Sequence, residues 1–313
     1  MKIAPLMGLL LSCFLVPKAY ATEGGLGRPI TGLQGTSYAG EVPPTPGFTL
    51  GVNSAYYSGD IGAERETPVG NSTALGLEVT ADLLSFTGIY IWNTGQGRWN
   101  FATAVSVPFA KIDASAALRI GEVGLSTHDS DSGLYDAAIV PVMASRHFGQ
   151  TDHLSLALYI FAPTGSYDPT RLATLSLNTW TLSPTVGYTH LGSEGTLEFS
   201  AVAAVDFDTE NDATDYQNGA LFRLDGLLIK RFGNGWGIGA AGGLIHQLEN
   251  DSGTTADRLG GFKGRSLALG PIVTYAKKWD GGQIEFSARW LTEFDVKNRF
   301  KGDPMMLTAT IVL

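Results

Sequence analysis

The most regular pattern in the chain is an alternation of apolar and polar residues with period two, and it is sharpest in the segment TLEFSAVAAVDFD at 196–208. There, Leu197 and Phe199 fall on one face and Glu198 on the other. Such alternation predicts a β-strand with one apolar and one polar face. Two later segments alternate in the same way, LFRLDGLLIKRF at 221–232 and QIEFSARWLTEF at 283–294.

The composition indicates what lies on each face of these strands. Charges of both signs recur on the polar faces, yet only 16% of the residues are charged and 40 are glycine. The solvent face of a soluble sandwich would carry many more lysine, threonine and serine side chains. Apolar residues that face lipid and sparse charges that face an enclosed lumen fit better. The sequence therefore predicts an all-β, transmembrane antiparallel β-barrel, with a secreted β-sandwich as the alternative.

From residue 48 onward, the pattern predicts about 12 strands, an even number as in bacterial single-chain barrels. Long connections alternate strictly with short turns, as expected for external loops and periplasmic turns. The predicted strands cover 48–58, 74–92, 98–111, 133–148, 153–163, 175–190, 196–207, 218–232, 236–248, 264–278, 283–294 and 304–313. The long connections cover 59–73, 112–132, 164–174, 208–217, 249–263 and 295–303.

Prolines and tryptophans refine this strand pattern. Proline removes one hydrogen-bond donor from a β-ladder, so each proline within a predicted strand indicates a local bulge or a strand end. These prolines are Pro108, Pro141, Pro184 and Pro271. Tryptophan near strand ends is typical of the aromatic girdle at a membrane interface, although ordinary core packing is the alternative. Trp92, Trp99, Trp236 and Trp279 adjoin predicted short turns.

The chain begins with a predicted signal peptide, residues 1–21. Lys2 precedes an apolar run at 3–16, and Ala19-Tyr20-Ala21 forms a cleavage site of the A-x-A type. The run is too short for a membrane anchor, and lipoprotein processing at Cys13 is the other alternative. Residues 22–46, rich in glycine and proline, are predicted to be an irregular periplasmic lead-in or a plug, and residues 47–313 the barrel.

Several classes of function are excluded or disfavoured by the composition. Cys13 is the only cysteine, so a chain cleaved after Ala21 has no disulfide, no cysteine metal site and no thiol nucleophile. The formal net charge of −9 disfavours nucleic acid as a partner, because its binders carry basic stripes.

The candidate functional residues are charged side chains on the predicted lumen face. They could form a polar constriction that selects the solute, or a salt-bridged ladder that fills a narrow interior. Both interpretations predict that Arg223 and Arg289 pair with acidic residues. The candidates are Glu198, Arg223, Asp225, Glu285, Arg289 and Glu293, together with Glu78 and Asp82 of the second strand.

No catalytic, cofactor-binding or metal site is predicted. Five histidines are present, but no G-x-S-x-G or H-E-x-x-H motif accompanies them. The acidic segments DSDSG at 129–133, DTENDATD at 208–215 and ENDSG at 249–253 lack the ligand spacing of an EF-hand. We expect them to be solvated loop tips, with weak Ca²⁺ binding as the alternative.

The second half of the chain resembles a known family. The matching pieces include APTGSYD at 162–168, DTENDATDY at 208–216, GGFKGRSLALGP at 260–271, and Trp290 with Glu293-Phe294. They resemble the outer-membrane family of meta-pathway phenol degradation proteins. The resemblance implies a lone barrel that helps small, mostly aromatic or hydrophobic compounds across the membrane. One departure is the C-terminal residue Leu313, where barrels of this kind usually end in an aromatic residue.

Together, these observations predict an outer-membrane channel or transporter-like barrel of a Gram-negative bacterium, exported through the periplasm. Its predicted partners are outer-membrane lipid, lipopolysaccharide and a small hydrophobic or aromatic solute, and it needs no cofactor. Two alternatives remain at this point. One is an outer-membrane barrel enzyme that acts on lipids, and the other is a structural barrel with a blocked lumen.

Overall fold

The computed structural model describes residues 27–62, 66–69, 72–95, 97–120 and 123–313. The predicted signal peptide and its cleavage site lie outside these residues. The strands are β1 (Gly47–Asp60), β2 (Glu66–Val69), β3 (Ser72–Leu75), β4 (Leu77–Ile91), β5 (Trp99–Ile120), β6 (Val123–Leu134), β7 (Ala138–His147), β8 (Asp152–Phe161), β9 (Thr181–Gly192), β10 (Leu197–Asp208), β11 (Tyr216–Gln217), β12 (Leu221–Arg231), β13 (Trp236–Gln247), β14 (Ser252–Gly253), β15 (Arg265–Trp279), β16 (Gly282–Trp290), β17 (Thr292–Lys297), β18 (Lys301–Gly302) and β19 (Met305–Val312), and one helix, α1, covers Thr254–Arg258.

The main sheet is a closed antiparallel barrel of 12 strands. Around the barrel the order is β1, β4, β5, β7, β8, β9, β10, β12, β13, β15, β16 and β19, and β19 pairs back with β1. β17 pairs with β15 beyond β16, so β16 and β17 form one barrel strand that is interrupted at Leu291. The prediction of a 12-stranded barrel is confirmed, and closure leaves no unpaired edge in it.

The outer face of the barrel is apolar, as the alternation predicted. Leu197, Phe199 and Phe207 of β10 are exposed, whereas Glu198 and Asp206 are buried inside. The apolar residues at 224, 228, 286, 290 and 294 are exposed on their strands in the same way. An apolar belt on a closed barrel matches the hydrocarbon core of a bilayer, so the predicted outer-membrane location is confirmed. The helix in the described part of the chain is too short and too polar to cross a membrane.

The four strand prolines lie at irregularities, as predicted. Pro141 lies in the part of β7 where the register shifts against β5 and β8. Pro108 lies between the ladder that β5 forms with β7 and the one it forms with β6. Pro184 faces an interruption in the ladder between β9 and β10, and Pro271 lies where β15 changes its partner from β16 to β17. Each missing N–H therefore coincides with a break in a ladder.

Two sequence predictions are wrong at the end of the barrel that carries the long connections. The connection at 112–132 is largely strand, because β5 continues to Ile120 and β6 returns beside it. Glu78 and Asp82 do not face the lumen but are exposed on the outer face of β4. The inward residues of this part of β4 are Leu77, Val79, Ala81 and Leu83. Outward charges at this end of β4 are expected to lie in water above the lipid, while the inward face packs against apolar groups.

Two acids of the long connections are held by hydrogen bonds or buried rather than free in solvent. Asp129 of β6 accepts hydrogen bonds from Arg171 and from the backbone N–H groups of Leu172 and Ala173. Asp251 is buried beside the small ladder of β11 and β14. The expectation of solvated tips is therefore wrong for these two residues. In the described part of the chain, no group of three or more His, Cys, Asp or Glu side chains could hold a metal ion.

Candidate functional site in the barrel interior

Residues 27–46 run through the interior of the barrel from one end to the other. At the short-turn end, the carbonyl oxygen of Val42 accepts a hydrogen bond from Asn100 Nδ2 at 3.2 Å. At the long-loop end, Arg28 forms an ion pair with Asp136 at 2.5 Å. We call residues 27–46 the lumen segment. Four of the eight charged residues predicted to face the lumen form hydrogen bonds with it, namely Glu198, Asp225, Arg289 and Glu293.

Asp225 of β12 holds the central turn of the lumen segment. Its carboxylate accepts hydrogen bonds from the backbone N–H groups of Gly32 at 3.1 Å, Gln34 at 2.8 Å and Gly35 at 3.0 Å. Asp225 is only 2% exposed. A carboxylate buried so deeply needs donors around it, and here the backbone of the segment supplies them.

Arg289 of β16 contacts the same turn as Asp225, but as a cation that binds the carbonyl groups of the turn. Its guanidinium donates to the carbonyl oxygens of Gly35 at 2.7 Å and Leu33 at 2.8 Å. In the described part of the chain, no carboxylate lies within ion-pair distance of Arg289, so the prediction that it pairs with an acid is wrong. The sequence could not reveal this, because the acceptors are backbone carbonyls about 250 residues away in the chain.

Glu198 and Glu285 share one arginine of β12, Arg231, which was not among the predicted candidates. Arg231 donates to Glu198 at 2.5 Å and to Glu285 at 3.1 Å. Glu198 also accepts the backbone N–H of Tyr38 at 2.8 Å, and the Arg231 guanidinium lies 4.8 Å from the centre of the Tyr38 ring. This group therefore holds the part of the lumen segment nearer the short turns.

Glu293 of β17 holds the part of the lumen segment nearer the long loops. It accepts hydrogen bonds from Thr31 Oγ1 at 2.6 Å and from the hydroxyl group of Tyr57 at 2.8 Å. Arg299 donates to the carbonyl oxygen of Pro29 at 2.8 Å. The sequence did not indicate Arg28 or Arg299, which lie outside the predicted strands. It did not indicate Asp136 either, which lies within the predicted strand 133–148 but between β6 and β7 in the structure.

Arg223 pairs with an acidic residue, as both interpretations predicted. It pairs with Asp206 of the adjacent strand at 3.1 Å and also donates to Ser183 Oγ at 3.0 Å. All three residues are buried. This ion pair belongs to the barrel wall, and no described contact joins it to the lumen segment.

Glycines in the barrel wall allow the lumen segment to approach closely. A Cβ atom at Gly243 would lie 2.3 Å from the backbone nitrogen of Gly32, and one at Gly187 would lie 2.2 Å from the carbonyl oxygen of Ala39. Both distances are shorter than van der Waals contact. Only glycine therefore fits at these two places, where the wall meets the segment.

An apolar cavity of about 80 Å³ lies beside the first residues of the lumen segment, at the long-loop end. The segment contributes residues 27–30, and the wall contributes apolar side chains of β4 and β5. Apolar residues form most of the lining, and its polar members are Arg28, Tyr57, Tyr135, Thr174, Glu293 and Arg299. The interior of a transmembrane barrel is usually polar, so an apolar chamber inside it is the feature that distinguishes this lumen.

Comparisons with known proteins give one family and a set of solved barrels. The model of the family described as "Putative MetA-pathway of phenol degradation" matches residues 62–309. No curated protein matches the chain.

Among solved structures, an outer membrane channel of Pseudomonas putida F1 has 16% identity and a TM-score of 0.65, with 88% of this chain and 98% of that chain covered. A FadL homologue of Pseudomonas aeruginosa has 11% identity and a TM-score of 0.45, covering 94% of this chain and 97% of its own. The β domain of the Bordetella autotransporter BrkA has 10% identity and a TM-score of 0.45, covering 85% of this chain and 98% of its own. The first of these likenesses supports the barrel fold.

Proposed function

Since the chain belongs to the family of the MetA-pathway of phenol degradation, we propose that it is an outer-membrane channel for small hydrophobic or aromatic compounds, closed by its lumen segment. The observation that carries this proposal is the apolar cavity at the long-loop end, in contact with residues 27–30. A solute arriving from outside the cell would meet this chamber first. The lumen segment then stands between the chamber and the periplasm.

The composition of the chamber fits a small aromatic compound better than a sugar. Leu77, Val79 and Ile112 line it with apolar surface, and its polar lining includes Tyr57 and Glu293 together with Arg28 and Arg299. A sugar needs many hydrogen-bonding partners, whereas a ring with one hydroxyl group needs few. A cavity that binds benzene in another protein measures about 150 Å³, so this chamber must widen to admit a ring. Displacement of the adjacent segment would provide that space.

The contacts of the lumen segment are those of a segment that can be displaced as a unit. Many of them are hydrogen bonds between its backbone and charged wall residues such as Asp225 and Arg289. Water could satisfy those charged groups if the segment left. Leu33 packs among buried apolar side chains, so displacement also exposes apolar surface. The closed form is therefore favoured, and opening needs a solute or another trigger.

An enzyme that acts on lipids receives less support. His190 donates a hydrogen bond from Nδ1 to the Asp152 carboxylate at 2.9 Å, an arrangement that resembles a base with its orienting acid. A hydrolase of this type also needs a nucleophile on the other ring nitrogen. Among the described residues, no serine or threonine hydroxyl group forms a hydrogen bond with His190.

The test measures conductance in planar bilayers and solute flux into liposomes for three proteins besides the wild type. A deletion of residues 27–46 removes the lumen segment, and Asp225→Asn weakens its central anchor. Asp82→Asn is the matched control, because Asp82 is exposed on the outer face. We expect low conductance for the wild type and for the control. We expect higher conductance for the other two proteins, with phenol-like solutes favoured over sugars.

Two results would contradict the proposal. Absence of conductance and of flux after the deletion, in protein that still shows the heat-dependent gel shift of a folded barrel, would exclude a channel. Equal flux of sugars and phenol-like solutes would leave a channel but remove the proposed substrate class. A rise in conductance in Asp225→Asn would report release of the lumen segment rather than a folding defect caused by the deletion, because this variant retains the complete chain.

A further inference from the structure

One arginine on the outer face of the barrel forms no ion pair with any described residue. Arg146 is the last residue but one of β7, and its partner on β5 is Trp99. The residues on either side of it, Ser145 and His147, point into the barrel and contact the lumen segment. Arg146 therefore points outward, because successive side chains of a strand alternate between its two faces. Its buried Nε atom has no hydrogen-bond partner among the described residues.

Two aromatic rings flank the guanidinium group of Arg146. Its central carbon lies 5.6 Å from the centre of the Trp99 ring and 5.0 Å from the centre of the Phe148 ring. Both rings are exposed on the outer face. Phe101 extends this aromatic surface, with its ring stacked against Trp99 at a centroid distance of 6.5 Å. Such cation–π contacts orient the guanidinium group, but they bring no negative charge to balance it.

The position of Arg146 along β7 places it at one edge of the apolar belt. Val142 of the same strand and Leu156 of β8 are exposed belt residues, and Arg146 lies beyond both of them toward the short turn. Tryptophan and other aromatic residues on the outer face of a barrel lie at the level of the lipid head groups. Because Trp99 flanks Arg146, we expect the guanidinium group to lie at the level of the phospholipid phosphates.

An acidic residue lies diagonally across the ladder from Arg146. Leu154 is the direct partner of Arg146, and Asp152 is the next outward residue of β8 toward the turn. Diagonal neighbours of this kind are about 7–8 Å apart, within reach of long side chains. The Asp152 carboxylate is instead held on the side of β9, where its Oδ1 atom accepts hydrogen bonds from Tyr188 at 2.6 Å and from His190 at 2.9 Å.

The second carboxylate oxygen of Asp152 has capacity for a further donor. Among the described residues, only the Thr151 hydroxyl group donates to Oδ2, at 2.6 Å. A carboxylate oxygen can accept two hydrogen bonds, and the Asp152 side chain is 33% exposed. The outer face therefore presents, one step apart, a cation without an anion and an anion that can accept from a cation.

We propose that Arg146 and Asp152 bind the head group of one phospholipid, with its phosphate on the Arg146 guanidinium group and a primary ammonium group on Asp152. A guanidinium group suits phosphate because its planar N–H groups bind two oxygens at once, and here the neighbouring rings already fix its plane.

The charges at the site favour one class of head group, that of phosphatidylethanolamine, which carries both a phosphate and a primary ammonium group. Phosphatidylglycerol offers the phosphate without a cation for Asp152. The ammonium group of phosphatidylcholine is fully methylated, so it has no N–H to donate. The site lies outside the lumen, and the proposal does not depend on what the channel transports.

The experiment is native mass spectrometry of the purified protein in detergent, titrated with each of the three phospholipids. Phosphoethanolamine without acyl chains is added as a competitor, to distinguish a lipid site from a site for a soluble anion. The variants are Arg146→Gln and Asp152→Asn. Lys277→Gln is the matched control, since Lys277 is an exposed cation near the short-turn end of β15. The heat-dependent gel shift confirms that each variant is folded.

We expect the wild type and Lys277→Gln to retain one phosphatidylethanolamine per chain in preference to the other two lipids. Arg146→Gln should weaken the binding of phosphatidylethanolamine and of phosphatidylglycerol by about tenfold, because both lose the hydrogen bonds between guanidinium and phosphate. Asp152→Asn should remove the preference for phosphatidylethanolamine without weakening the binding of phosphatidylglycerol.

Three results would overturn the proposal. Equal losses in Arg146→Gln and Lys277→Gln would show that any cation at this level attracts lipid. A preference that persists unchanged in Asp152→Asn would exclude the carboxylate as the group that selects the lipid. Displacement of the lipid by an equal concentration of phosphoethanolamine would show that the acyl chains add nothing and that the site binds a soluble anion.

Discussion

At the scale of single residues, the charged side chains inside this barrel mainly form hydrogen bonds with the backbone of the lumen segment. Asp225 and Arg289 are both buried, but they do not form an ion pair with each other. Asp225 accepts from the N–H groups of the central turn, and Arg289 donates to its C=O groups. Burying an ion without partners is strongly unfavourable, so these residues favour the form in which the turn is in place over one in which they are left without water or backbone partners. The same carboxylate chemistry operates in a loop outside the membrane, where it leads to a pH effect.

The first prediction concerns Asp251, which is buried in the loop region formed by β11, β14 and α1. Burial raises its pKa to about 6, although hydrogen bonds from Tyr216, Gly219 and Gln247 act in the opposite direction. The folded loop therefore binds the proton more tightly than the unfolded one, whose aspartate has a pKa of about 3.9. The stability of the loop is highest below about pH 4, falls as the pH rises to about 6, and is then constant, a total change of up to about 3 kcal/mol.

Hydrogen exchange of the backbone amides around Tyr216 and Gly219 measures this effect, after correction for the intrinsic pH dependence of exchange. We expect larger protection factors at pH 4.5 than at pH 7. In Asp251→Asn the difference should disappear, since the amide does not titrate. A protection factor that rises with pH in the wild type would show that the hydrogen bonds outweigh the effect of burial.

At the scale of elements, the alternation and the prolines were sufficient to locate the barrel strands, but the direction of a face was not always readable. On β10, apolar residues alternate with acids, so the lipid face is unambiguous. On β4, both faces contain apolar residues, and the two acids were assigned to the lumen although they point outward. A charge can lie on the outer face wherever a strand extends beyond the lipid. Local alternation carries no information about height above the membrane.

At the candidate site, local sequence likewise predicted which residues face inward but not which distant residues they contact. Inward-facing residues such as Glu198, Asp225 and Glu293 follow from strand periodicity, so they were found from the sequence. Their partners in the lumen segment were not, because an irregular segment has no period that could indicate which wall residue it meets. The glycine content of residues 31–40 was the available signal, since glycine permits close approach to a wall.

The second prediction tests the height of the apolar belt on β4. Phe86 lies on the outer face, midway in sequence between Tyr90 and Asp82, and is 47% exposed. It should lie near the middle of the hydrocarbon core. Phe86→Arg should therefore lower the free energy of unfolding by about 2–4 kcal/mol, as charged side chains do at the bilayer midplane. Reversible urea unfolding in lipid vesicles measures the change.

The control for this prediction is Glu78→Arg, which also introduces arginine on the outer face of β4 but at the water-exposed end. We expect its effect on unfolding to be below about 1 kcal/mol, because charge near the interface costs little. Similar losses for both variants would place Glu78 within the lipid and contradict the height assigned to the strand.

At the scale of the whole molecule, the lumen segment connects the two ends of the barrel. It contacts Asp136 at the long-loop end and Asn100 at the short-turn end, and it packs against strands from both halves of the sheet between them. A segment attached along its whole length cannot open a path by fraying at one end alone. Opening requires release of its central turn. The contact between Gly35 and Asp225 is therefore the one that must break.

The last prediction locks this central contact reversibly. A Cβ atom at Gly35 would lie 3.1 Å from the Cβ atom of Asp225, a few tenths of an ångström short of the usual disulfide range of about 3.5–4.5 Å. The only natural cysteine is Cys13, within the predicted signal peptide, so introduced thiols have no competitor in the cleaved chain. The double variant Gly35→Cys with Asp225→Cys should therefore form a single disulfide between the segment and the wall.

When oxidised, this double variant should conduct as little as the wild type, since the disulfide replaces the lost carboxylate anchor. Reduction should raise its conductance, because neither the carboxylate nor the disulfide then holds the turn. Asp225→Cys alone is the control, and its conductance should be raised under both conditions. Conductance that is equally high in the oxidised and reduced double variant, with the disulfide confirmed by mass spectrometry, would mean that the path avoids the central turn and that the lumen segment is not the barrier.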